Sequence, residues 1–366
     1  MTTRLVVENI KHKPMRTLLS ILLMGVPVTL ILSLVGISEG LSADAQNRAR
    51  GIGADVVVRG STASAGLSYS GASISEKLVD KLQEQPHVKL AMGVIVHSID
   101  FPALSMMGVD LPAFNAMSGG FTYQEGGPLQ GPYDILIDRL YADQKKTHAG
   151  STLRLLNQDW HVAGIIEGGK LARIVVTKAT LQELDAATGK VSVIYVKLDD
   201  PANTDAVVRQ LRELLPNFDV NSMEYYTSMF AVTNYGTVKV FTYVVIGIGV
   251  VIGFAVVCLS MYMAVLQRTR EIGILKSLGA SKTFILRIVL TEAALLGIGG
   301  TILGILMSYA ACWAIRTFVP ASFPMIIVHA WWPKALLITF LGAEMGAIYP
   351  GLSAASHDAI EALAYE

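Results

Sequence analysis

Three groups of residues have types and spacings that could do chemistry. The first is "GIIEGGKL", Gly164 to Leu171, which has the G-x-x-x-x-G-K spacing of a phosphate-cradling loop. The next position, where a Ser or Thr hydroxyl should hold magnesium, is Leu171. A plain turn between two strands is therefore the expected structure. "ILID" ending at Asp138 imitates a magnesium-binding strand, but no other phosphate loop accompanies it. The second group is the seven histidines, His12, His87, His97, His148, His161, His329 and His357. No two have the spacing of a metal-binding helix, and no glutamate completes a zinc-protease motif. No nucleophile elbow is present. These absences predict a chain that is not an enzyme, with no cofactor and no metal of its own.

The third group is two acids within hydrophobic runs, Glu292 and Glu344. Glu292 follows Arg287 by five residues and is expected to reach the membrane interface. Glu344 lies deeper, where an isolated charge costs at least about 2.5–3.5 kcal/mol. It should be protonated, paired or wetted, and an intramembrane acid is a candidate for transport or gating.

These runs set the architecture. Only 16% of the 366 residues are charged, against about 25% in soluble domains. The mean hydropathy is +0.49. The 29 basic and 29 acidic residues balance, so nothing points to nucleic acid. Both cysteines, Cys258 and Cys312, lie in hydrophobic runs and form neither a disulfide framework nor a zinc site. Four segments are long enough to span a bilayer: 17–38, 240–266, 288–315 and 335–356. The first contains Pro27, a kink site, and is too long for the apolar core of a signal peptide.

Lys and Arg near the spans set orientation. Arg4, Lys11, Lys13 and Arg16 precede the first span. Arg268, Arg270, Lys276, Lys282 and Arg287 lie between the second and third. Only Arg316 and Lys334 lie between the third and fourth. Segments 1–16, an amphipathic stretch, and 267–287 are thus expected in the cytoplasm. Four spans place the 357–366 tail there too. Residues 39–239 and the short 316–334 loop are expected outside, so the protein is a multi-pass protein of the cytoplasmic (inner) membrane, with lipid as one partner.

Residues 39–239 read as an α+β domain inserted between spans one and two. Strands are expected at "ADVVVR" from Ala54, "YDILID" from Tyr133, "WHVAGIIE" from Trp160, "RIVVT" from Arg173 and "VSVIYVKL" from Val191. Helices are expected after Ser73 (capping box with Glu76), after Thr180 (with Glu183), and from Thr204 to Leu215. "GSTASAGLSYSGAS" from Gly60 is a Gly/Ser loop. The domain lacks cysteine and is expected to fold without metal or disulfide.

Two features of the spans bear on assembly. Glycines recur at four-residue spacing, Gly249/Gly253, Gly300/Gly304 and Gly342/Gly346, and allow close helix packing within one subunit or between two. The 268–287 loop, "RTREIGILKSLGASKTFILR", is amphipathic. Glu271, Ile274, Leu275 and Leu278 share one face, Arg270 and Lys276 point elsewhere, and Gly279 ends the helix in a left-handed cap. Such a helix either lies in the lipid interface or docks in a partner's groove.

"RTREIGILKSLGAS" resembles the signature of MacB/FtsX-type ABC transporter permeases, relatives of lipoprotein-release, macrolide-efflux and haem-export permeases. "YPGLSAASHDAIEALAYE" from Tyr349 is similar to their C-terminal pattern, with Tyr349, Pro350, Ala354, Ala355, Asp358, Ile360, Glu361, Ala362, Leu363, Tyr365 and Glu366 in register. "NIKHKPMRTLLSILLMGV" resembles their first span, and "VSVIYVKLDDPANTDAVVRQL" the end of their extracytoplasmic domain. Gly351 and Leu352 stand where the family usually has basic residues.

The resemblance implies a permease subunit paired with a second permease, as homodimer or heterodimer, on a separate ABC ATPase that binds ATP and magnesium. It implies that Arg270, Glu271, Ile274, Leu275, Leu278 and Gly279 couple to that ATPase. ATP-driven motion would pass to the extracytoplasmic domain by mechanotransmission, to export or extract a hydrophobic or amphipathic substrate. The alternative is an FtsX-like signalling subunit that activates a cell-wall hydrolase and transports nothing. A periplasmic adaptor or a hydrolase is the further partner in these two cases. The compact outer domain is expected to have its adaptor-binding subdomain reduced or missing.

Overall fold

The computed structural model describes residues 14–60, 72–100, 104–229, 236–267, 269–319 and 324–356. Most of the N-terminal segment, the Gly/Ser loop, Arg268 and the 357–366 tail lie outside these residues.

Among the described residues, four helices are long and apolar enough to cross a membrane. The chain divides into two units: residues 1–38, 237–314 and 325–366 form one, and 39–236 with 315–324 form the other. The first unit consists mainly of the apolar helices. Helix α1, Pro14–Arg50, is a 37-residue helix and does not end at Ser38. "EGLSADAQNRAR" contains no proline and only one glycine, so nothing stops the helix before Gly51. Pro27 lies within α1. Just past it, the Thr29 hydroxyl donates to the Gly25 carbonyl at 2.8 Å and lies 3.2 Å from the Gly304 carbonyl.

The second unit is an α+β domain. Its elements are β1 (Val56–Gly60), β2 (Ile74–Ser75), α2 (Lys77–Gln83), β3 (Val88–Asp100), β4 (Leu104–Val109), α3 (Leu111–Ser118), β5 (Tyr123–Gly126), β6 (Asp134–Asp138), α4 (Arg139–Lys145), β7 (Thr152–Leu155), β8 (Gln158–Ile166), β9 (Ile174–Thr177), α5 (Lys178–Leu184), β10 (Lys190–Val191), β11 (Val193–Leu198), α6 (Thr204–Leu214), β12 (Phe218–Ser222) and α7 (Met223–Met229). The large sheet runs β12-β1-β11-β3-β4-β9-β6-β8-β5, with β7 on β8.

Its first four strands, with α2 and α6, form a β-α-β-β-α-β unit with every pair antiparallel. The remaining strands of that sheet form a second subdomain inserted between β3 and β11. Strand β3 joins the two: Val88–Val94 pair with β11 and Ile95–Asp100 with β4. It is buried on both faces, since Met92, Val94 and Val96 belong to one core, Ala91 to a second and Ile95 to a third. This gives an almost continuous apolar run instead of alternation, as in other doubly covered strands.

The expected strands at Ala54, Tyr133, Trp160, Arg173 and Val191 form as β1, β6, β8, β9 and β11. Both capping boxes fail. Helix α2 starts at Lys77 with Glu76 at its cap and no side-chain cap bond. Glu76 instead accepts from Lys178 and from Gln182 Nε2, the latter at 3.1 Å. Helix α5 is capped by Thr177, and the Thr180 hydroxyl donates to the Pro132 carbonyl at 2.6 Å. On α6, Val207, Val208 and Leu211 are buried but Leu214 is half-exposed.

Acid sensitivity follows from Asp134. Its carboxylate accepts from the backbone N–H groups of Gln130 and Gly131 at 2.8 and 2.7 Å, and lies 2.9 Å from His161 Nδ1. Burial raises its pKa, but the two N–H groups and His161 outweigh it, leaving the group below the ordinary carboxylate value. A depressed folded pKa gives stability that is full above the unfolded value, about 3.9, and is lost as pH falls through the folded one. Asp134→Asn should therefore flatten the acid limb of the domain's stability below about pH 4. The emission of Trp160, fully buried and donating to the Leu155 carbonyl at 3.1 Å, reports it once Trp313, Trp331 and Trp332 are changed to Phe. An acid limb unchanged from the parent would contradict it.

Candidate functional site

The 268–287 segment begins where α8 (Gly236–Gln267) ends. A short helix, α9 (Thr269–Ser277), follows, and α10 (Lys282–Phe318) starts after four intervening residues. The Thr269 hydroxyl bonds back to the carbonyls of Val265 and Leu266 at 3.1 and 2.9 Å, tying α9 to the end of α8. At the other end Gly279 has φ +93°, a left-handed conformation. Its N–H donates to the Lys276 carbonyl at 3.0 Å and that of Ala280 to the Leu275 carbonyl at 2.9 Å. This pair of bonds is a Schellman cap, which glycine forms without strain.

The structure corrects the single apolar face. Ile272 and Leu275 pack inward against the core of the helical unit, which includes Val265, Ile285, Val289 and Ala355. Ile274 and Leu278 face outward, 45% and 80% exposed. Apolar residues thus cover two arcs of α9, one anchoring the helix and the other free to meet another surface. Ile272 belongs to the anchoring set, beside the residues expected to couple. The side chains of Arg270 and Glu271 lie outside the described residues.

The two acids differ in exposure. Glu292 is 6% exposed, on the buried stripe of α10 with Val289, Ala293 and Leu296. Glu344, on α11 (Trp332–Ser356), is partly exposed.

The glycines divide as well. A β-carbon on Gly300 would lie 2.6 Å from Met24 Cβ, and one on Gly304 2.6 Å from Val28 Cβ and 2.9 Å from the Gly25 carbonyl. One on Gly346 would meet the Phe254 carbonyl at 2.8 Å. These three let α10 approach α1, and α11 approach α8, inside one subunit. Gly249 has only ordinary contact with Ile31 beyond one carbon at 3.2 Å, and Gly253 and Gly342 have no described atom within 4 Å of an added β-carbon.

The phosphate-loop imitation is a structural turn. Gly169 has φ +96° and Leu171 φ +58°, and Leu171 is buried. Lys170 Nζ donates to the carbonyls of Gly120 and Ser118, at 2.5 and 3.3 Å, where α3 ends. A cation at a helix C-terminus satisfies free carbonyls. Lys170→Ala should lower the domain's stability by about 1 kcal/mol and leave nucleotide titrations as flat as the parent's. Saturable ATP binding lost in Lys170→Ala would contradict this. Among the described residues, no cluster of three His, Cys, Asp or Glu could hold a metal.

Comparison with known proteins adds the following. The family model of the MacB-like periplasmic core domain matches residues 17–214, and that of the FtsX-like permease C-terminal region matches residues 243–357. The macrolide export ATP-binding/permease protein MacB of Escherichia coli is 25% identical over 389 aligned positions, covering 96% of this chain and 58% of that protein. An uncharacterized ABC transporter permease of Methanocaldococcus jannaschii is 24% identical over 234 residues, 60% of this chain and 58% of that one. The chain thus spans less than two thirds of the length of these curated relatives. The crystallised periplasmic region of MacB from Actinobacillus actinomycetemcomitans aligns with 49% of this chain and 94% of its own length, at 14% identity and TM-score 0.35.

Proposed function

From the chain's membership of the family of ABC transporter permeases with a MacB-like periplasmic core domain and an FtsX-like C-terminal region, we propose that it relays ATP hydrolysis by an ABC ATPase to its inserted α+β domain. Residues 39–239 face outward and α9 faces the cytoplasm. Motion driven at α9 passes through the spans to the outer domain, which acts on a hydrophobic or amphipathic substrate by mechanotransmission. Two copies, or this chain and a related one, form the membrane part of the complex. MacB relatives are named as macrolide exporters joined to an ATP-binding part, which supports export as the class of work and an ATPase as the partner.

The observation that carries this reading is the outward pair Ile274 and Leu278 on a helix anchored from its other side. The inner arc of α9, Ile272 and Leu275, holds the helix on the core, and the exposed apolar arc of Ile274 and Leu278 supports docking against another protein. Two measurements test the reading. A cysteine at Ser277, in a chain with Cys258 and Cys312 changed to Ala, should react only with reagents that reach the cytoplasm; labelling from outside would overturn the orientation. Glu271→Ala should lower ATPase stimulation by the chain while membrane insertion stays normal. Full stimulation in that variant would remove Glu271 from the coupling set.

A further inference from the structure

Two arginines are buried in the α+β unit among the described residues, Arg59 at 4% exposure and Arg173 at 1%. They stand at the two ends of that unit's chain. Arg59 Nη2 donates to Asp219 on β12 at 2.7 Å, and its guanidinium lies 5.1 Å from the centre of the Tyr226 ring on α7, the last described element before α8. Arg173 sits just ahead of β9 and reaches the last turns of α1. Its Nη2 donates to Asp44 at 2.8 Å and its Nη1 to Asp138, at the end of β6, at 2.9 Å.

The joint has further parts. Asp44 also pairs with Arg48, one turn along α1. Asp138 Oδ1 accepts from the Tyr141 N–H at 2.8 Å and caps α4. The Leu171 N–H donates to the Arg48 carbonyl at 3.2 Å. Gly51, just past the helix, leaves no room for a β-carbon, which would fall 2.1 Å from the Gly169 carbonyl.

Stability alone does not require this cluster, since apolar packing of similar volume does as well or better than a buried ion pair. Arg173 Nε has no acceptor among the described residues, a further cost. Burial even raises the Asp138 pKa against the pull of Arg173. What a guanidinium fork adds is direction and register. Apolar ridges can slip past one another, whereas a fork gripping one carboxylate on the helix and one on the sheet cannot slip without stranding a buried charge.

We propose that Asp44, Arg173 and Asp138 form a clamp that passes displacement of α1 to the sheet of the inserted domain, with Arg173 as the positioning residue between helix and strands. This rests on the proposed function.

The test uses the full chain with its ATPase in lipid nanodiscs, Cys258 and Cys312 changed to Ala. One spin-label pair, Asn47→Cys and Lys89→Cys, reads α1 against the sheet. A second, Lys89→Cys and Leu306→Cys, reads the sheet against the spans. In the parent the first distance should stay narrow and unchanged by an ATP analogue, while the second shifts. In Arg173→Gln the first should broaden and the second lose its nucleotide-linked shift, while ATP hydrolysis continues; Arg173→Lys should restore part of the shift. If Arg173→Gln does not fold, Asp44→Leu with Arg173→Met removes one charge of each sign and keeps the volume. A nucleotide-linked shift equal to the parent's in the folded variant overturns the clamp and leaves the proposed function standing. No shift in the parent overturns the proposed function, and the clamp's transmitting role falls with it.

Discussion

Leu278→Asp is expected to abolish stimulation of the partner ATPase while the membrane unit folds and inserts as in the parent. Leu278 is 80% exposed and follows the last turn of α9, and Ile274 beside it is 45% exposed. Full burial of such a side chain at an interface contributes about 1.5–3 kcal/mol, and each 1.4 kcal/mol is about tenfold in affinity. Aspartate loses this contribution and adds the cost of an unpaired buried charge. Association should weaken by at least about a hundredfold. Leu275→Asp separates the two arcs of the helix. Leu275 packs against the core that includes Val289 and Ala355, so this variant should damage the permease itself and lower its yield. If Leu278→Asp binds and stimulates the ATPase as the parent does, the outward arc is not the docking surface.

Gly304→Ala is expected to destabilise the helical unit by about 2–4 kcal/mol. The added methyl would lie 2.6 Å from Val28 Cβ and 2.9 Å from the Gly25 carbonyl, and backbone cannot swing aside as a flexible side chain can. Helices α1 and α10 must separate, which also stretches the 3.2 Å contact between the Thr29 hydroxyl and the Gly304 carbonyl. Gly253→Ala has no described neighbour within 4 Å and should change stability by less than about 0.5 kcal/mol. Thermal unfolding in one detergent ranks the two. The reverse order would mean that these glycines pack against another subunit rather than within this one.

How far the sequence could be read depends on how local each determinant is. Val56–Val58 and Ile174–Val176 are β-branched runs next to turn residues, so their strands are legible. Strand β3 is not, because both its faces are covered and its alternation disappears into one apolar run. The caps at Ser73 and Thr180 fit a local pattern, but Glu76 and Thr180 are engaged by Lys178 and Pro132, partners remote in sequence. Helix α1 runs on past Ser38 because Glu39, Leu41, Ala43, Ala45, Gln46, Arg48 and Ala49 are good helix formers and no proline intervenes, while hydropathy reports only the apolar part. On α9, period 3.6 places Ile274, Leu275 and Leu278 together. Only the packing of Ile272 and Leu275 against the helical core shows which of them are free. The Arg173 cluster joins residues 44, 138 and 173, and no local pattern marks it.

The central claim is that α9 is where this chain meets an ABC ATPase. A photo-activatable amino acid at Leu278, in the full chain expressed with that ATPase in native membranes, tests it most directly. The account predicts an illumination-dependent adduct with the mass of the permease plus the ATPase, absent when the probe replaces Leu306 on α10. Adducts to lipid alone from position 278, with the ATPase present and active, would contradict it.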